Sequence, residues 1–141
     1  FAPNYLLEAL AQYRDSFKPS AQLQAPYAMV GVNALVAESD AEARHLFTSS
    51  QVASVDMLRG LREPMGPAID DIETYWSAQE KAAVQQKLRY SFVGSVDTVG
   101  VSLQELLRET GADELMTTVR VFDPDAGLRS LELLAQVRQT L

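Results

Sequence analysis

Tyr27-Ala28-Met29-Val30-Gly31-Val32-Asn33-Ala34-Leu35-Val36-Ala37 is an almost continuous apolar run without the alternation of a half-buried strand. A strand covered on both faces reads this way, and such strands belong to parallel sheets packed against helices. Ser39-Asp40-Ala41-Glu42 follows at once. It has the form of a capping box, with the Ser39 hydroxyl accepting from the third helical amide and Glu42 reaching back. A buried strand running directly into a capped helix is the repeating unit of an α/β fold.

Upstream, Pro3 suits a first helical turn. Leu6, Leu7, Leu10, Tyr13, Arg14 and Phe17 then recur at helical spacing, predicting a helix over 3–17 that Lys18-Pro19 ends. Downstream, a long helix stops at Gly60, and an irregular connection with Pro64, Gly66 and Pro67 follows. Ser77-Ala78-Gln79-Glu80 is a second capping box, and Val93-Gly94-Ser95 reads as a turn ending in an N-cap. Gly111 is placed to supply a left-handed helix end. The whole of 40–110 therefore reads as a helical crossover. A second strand is expected over 114–122, and Asp123-Pro124-Asp125 then opens a last helix over 126–140.

Two strands separated by helices imply a right-handed parallel crossover. Two parallel strands alone bury too little and leave both outer edges unpaired. More sheet is needed, from further sequence, a partner subunit or another copy of the chain. Residue 1 is Phe, which favours a chain cut from something longer. The expected fold class is α/β, the C-terminal portion of a TIM (β/α)8 barrel, with two parallel strands and flanking helices.

Composition narrows the function classes. The 141 residues carry a net charge of −7 with 47% hydrophobic and 22% charged residues, as in a soluble globular domain. Basic residues are scattered, which argues against a nucleic-acid partner. A phosphate-bearing ligand stays open, because helix N-termini bind phosphate without net positive charge. The absence of cysteine removes disulfides, thiolate metal sites and a cysteine nucleophile. No apolar run approaches the roughly 20 residues of a membrane span, no signal peptide is visible, and the cytoplasm is the expected location.

No self-contained catalytic motif is present: there is no glycine-rich phosphate loop, paired-histidine metal motif or nucleophile elbow. His45 reads as a solvated helix position. Asp70, Asp71 and Glu73 read as a solvated acidic turn, and Tyr75-Trp76 as a hydrophobic staple more than a stacking platform. No metal ligand set is assigned. In parallel barrels the functional face is the C-terminal end of the strands, which directs attention to Glu38 after the first strand and to Arg120, Phe122 and Asp123 after the second. Asn33 is a polar residue inside an apolar strand. Its amide must be hydrogen-bonded, so it either satisfies a neighbouring strand or faces the barrel lumen and a ligand.

Read in order, several segments carry a family resemblance. They are Phe1-Ala2-Pro3, Tyr13-Arg14 with Phe17-Lys18-Pro19-Ser20, Gly31-Val32-Asn33, and Ala37-Glu38-Ser39-Asp40-Ala41-Glu42-Ala43. Val93-Gly94-Ser95, Gly111-Ala112-Asp113-Glu114-Leu115-Met116 and Phe122-Asp123 with Arg129-Ser130 follow. Together they resemble the C-terminal third to half of the bacterial luciferase-like monooxygenases, nearly end to end, with 50–88 least distinctive. The resemblance implies that 27–37 and 114–122 are the seventh and eighth barrel strands. It implies a full-length enzyme using reduced flavin mononucleotide (FMN), or in some branches a deazaflavin, with oxygen on a small organic substrate. Most flavin contacts of that family would lie upstream of Phe1. Asn33, Glu38, Arg120, Phe122 and Asp123 are then pocket candidates, and the catalytic residues stay unassigned. Two other readings remain: a non-catalytic module that completes its sheet by dimerisation, and a deazaflavin-dependent reductase of the same superfamily.

Overall fold

The computed structural model describes residues 3–141, with the side chain of Pro3 excepted; Phe1 and Ala2, which open the resemblance, lie outside the described residues. A short 3-10 turn, Pro3–Tyr5, leads into α1 (Leu6–Ser16). Strand β1 (Met29–Val36) follows, then α2 (Asp40–Leu58), a 3-10 turn at Ile72–Thr74, and α3 (Ala78–Lys87). The chain continues through β2 (Ser91–Gly94), α4 (Val96–Thr110), β3 (Glu114–Thr118) and α5 (Pro124–Val137). The α/β class with parallel strands and flanking helices, as in a portion of a (β/α)8 barrel, is what the structure has. A third strand joins the two expected ones.

The sheet order is β2-β1-β3, parallel throughout. Asn33 to Val36 pair with Ser91 to Gly94 on one edge, and Met29 to Asn33 pair with Glu114 to Thr118 on the other. The two neighbours are thus staggered, β3 along the first half of β1 and β2 along the second. Strand β2 has only four residues, too few for period-2 alternation to separate it from the turn that Val93-Gly94-Ser95 suggests.

Strand β3 ends at Thr118, short of the expected 122. Beyond it, the backbone is claimed by other partners. The buried Ser50 hydroxyl of α2 donates to the Arg120 carbonyl at 2.7 Å. The Val36 amide of β1 donates to the buried Ser130 hydroxyl of α5 at 2.8 Å. These side-chain bonds replace the rungs a longer β3 would have made.

Alternation along β1 decides which side is core. Val30, Val32 and Val36 face the helices and pack with Val99, Leu103 and Leu106 of α4 and Leu133 and Val137 of α5. Leu6 and Leu10 of α1 and Leu115 of β3 close the margin of that core. Each fully buried aliphatic side chain here contributes about 1.5–3 kcal/mol. A smaller cluster, Val55, Trp76 and Val84, holds α2, the 3-10 turn and α3 together. Trp76 is buried there and its ring nitrogen donates to Glu73 at 3.1 Å, so the aromatic pair packs the crossover.

Helix ends follow the sequence closely. Ser77 and Glu80 form the full reciprocal capping box. Ser39 accepts from the Glu42 amide, but the Glu42 carboxylate reaches one residue further than expected, to the Glu38 amide at 3.2 Å. Gly60 and Gly111 both adopt positive φ, the conformation a helix-ending turn needs and other residues resist. No helix among the described residues is long and apolar enough to cross a membrane.

Two measurements check this architecture in the full-length protein. Ser130→Ala leaves the buried Val36 amide without its acceptor, and denaturant unfolding should show a loss of about 1–3 kcal/mol. Glu80 accepts from Arg59 and the Ser77 amide, which hold its carboxyl down at about 2 from an ordinary 4.5. A lowered folded value stabilises above the ordinary range and stops doing so as pH falls toward 2. The stability gap between wild type and Glu80→Gln should therefore be widest above about pH 5 and close progressively in acid.

Candidate functional site

The face of the sheet opposite the helical core is only half covered. Residues of β1 that alternate with the core set, Met29, Gly31, Asn33 and Leu35, point to this second face with their register partners. Leu35, near the C-terminal end, is buried; Met29 and Met116 at the other end are about half exposed, at 47% and 55%. A Cβ built on Gly31 meets nothing within 4 Å. The chain thus leaves open an apolar surface floored by parallel strands.

At its centre lies a polar bridge across all three strands. The Asn33 side-chain amide donates to the Ser91 hydroxyl of β2 at 3.1 Å, and its oxygen accepts from the Thr118 hydroxyl of β3 at 2.6 Å. Of the two options left open for Asn33, the structure shows the tie to neighbouring strands, made on the open face.

Two cavities meet at this bridge. The smaller is lined by Asn33, Leu35, Phe47, Ser50, Ser91 and Arg120, beneath α2. The larger, a cleft of about 360 Å3, is lined by Gly31, Asn33, Lys87, Met116, Thr118 and Arg120 among others. The Ser50 bond to its carbonyl ties the backbone at Arg120 to α2. Lys87 is the last residue of α3, and burial together with the neighbouring Arg120 charge pulls its pKa below the usual lysine value.

Of the five sequence candidates, the structure brings Asn33 and Arg120 to one cleft. The others stand elsewhere. Glu38 pairs with Arg129 of α5 at 2.6 Å across an exposed surface, a contact of small energetic weight. Asp123 is the N-cap of α5, accepting from the Asp125 and Ala126 amides. Phe122 is 51% exposed beside it and lines neither cavity. Lys87, Ser91 and Thr118 escaped the sequence reading. Thr118 and Ser91 are found only through register with Asn33, and Lys87 comes from the crossover, where no strand-end rule points.

The helix N-termini at the strand ends carry their own carboxylates. Asp40, opening α2, accepts the Ser95 amide of α4 at 2.7 Å and the Thr98 hydroxyl at 3.1 Å, and those bonds lower its pKa. Glu42 serves the start of α2 and Asp123 that of α5. These carboxylates therefore take up some of the amides at the helix starts. A Cβ on Gly94 would stand 2.8 Å from Asp40 Oδ1 and from Thr98. Gly94→Ala should accordingly cost about 1–3 kcal/mol in denaturant unfolding.

The comparisons agree with this fold. No family model matches the chain. A protein of Escherichia coli K12 named "Luciferase-like monooxygenase" is 45% identical over all 141 residues. The Bacillus subtilis protein YvbT, which carries no assigned function, is 37% identical over 137 residues. A crystal structure of apo-MsnO8 superposes with a TM-score of 0.84 at 29% identity, covering 99% of this chain and 42% of that one. The chain spans 42% of the length of the E. coli relative and 41% of YvbT. The resemblance to the luciferase-like monooxygenases is borne out along the whole chain.

Proposed function

With that likeness as premise, we propose that the chain is the C-terminal part of a flavin-dependent monooxygenase acting on a small organic substrate with reduced flavin and oxygen. The observation that carries the reading is the half-bare face of a parallel sheet with the Asn33 bridge at its centre, in a chain 45% identical to a named monooxygenase. In a closed barrel that face would line the interior, whose C-terminal mouth is where substrate and cofactor meet.

Reduced FMN would supply the oxygen-activating chemistry, which is the cofactor's own. The residues present fit one wall of such a site. Gly31 keeps the floor flat, with open space above it. Met116 and Leu88 give apolar contact, and Asn33 and Thr118 offer hydrogen-bonding capacity. The roof formed by α2 buries Leu35 and keeps water from that end of the wall. Enclosure is completed by other strands, pairing with the open edges of β2 and β3.

The full-length protein should bind FMN and consume oxygen when supplied with reduced flavin. Asn33→Ala should weaken substrate or flavin binding by about threefold to thirtyfold, the worth of one or two hydrogen bonds. Steady-state kinetics in step with thermal melting decides it. Unchanged kinetic constants with lowered stability would reduce Asn33 to a strand tie. A full-length protein that neither binds flavin nor consumes oxygen would sink the monooxygenase reading.

A further inference from the structure

We draw no further inference here: the strongest candidate, the apolar groove between α4, β3 and the C-terminal end of α5 lined by Leu107, Leu115, Leu131 and Leu141, is an unpartnered face beside the open edge of the sheet, and nothing in the structure shows what covers it.

Discussion

A parallel strand cannot meet its neighbour through a tight turn, and everything in this chain is arranged around the need of β1 for a partner on each edge. Both partners arrive by crossovers, β2 through α2 and α3, and β3 through α4. The staggered pairing lets a short β2 and a short β3 share one eight-residue strand. Where the ladder runs out, side chains take over: Ser130 accepts from Val36, and Ser50 donates to Arg120. A hydroxyl in each position satisfies a buried backbone group that would otherwise go unpaired.

That arrangement produces two unlike faces. The helix side is a conventional aliphatic core, Val30, Val32 and Val36 against α4 and α5. The other side carries a glycine, two exposed methionines and the Ser91–Asn33–Thr118 bridge. A surface this apolar and this flat is a liability on an isolated molecule. Its exposure, with the open edges of β2 and β3, is accounted for by further barrel strands. The chain's span of 42% of its E. coli relative has the same sense.

Much of this was legible in the sequence because it is local. The apolar run 27–37 declares a doubly covered strand, and Ser39, Ser77 and Ser95 mark helix starts with their own hydroxyls. Gly60 and Gly111 mark helix ends by a backbone conformation few other residues accept. What the sequence hides is set by distance. The four residues of β2 have no periodic signature, and they are a strand because Asn33 to Val36 need hydrogen-bond partners. Strand β3 stops at Thr118 because Ser50, 70 positions from Arg120, takes over its backbone.

The candidate site divides along the same line. Asn33 is conspicuous in sequence as a lone amide in an apolar run, and Arg120 follows from the strand-end rule. Glu38 and Asp123 obey that rule equally well, yet local pairing absorbs both: Arg129 holds Glu38, and the first turn of α5 holds Asp123. A charge near a strand end is available to a ligand only if nothing nearer has claimed it. Lys87 shows the converse. It lies in the crossover, far in sequence from either long strand, and reaches the open face because Val55, Trp76 and Val84 pack α3 against α2. The small second core therefore does more than fold the crossover. It carries a cation to the wall of the cleft that Arg120 also lines, so the crossover takes part in the pocket that the strands begin.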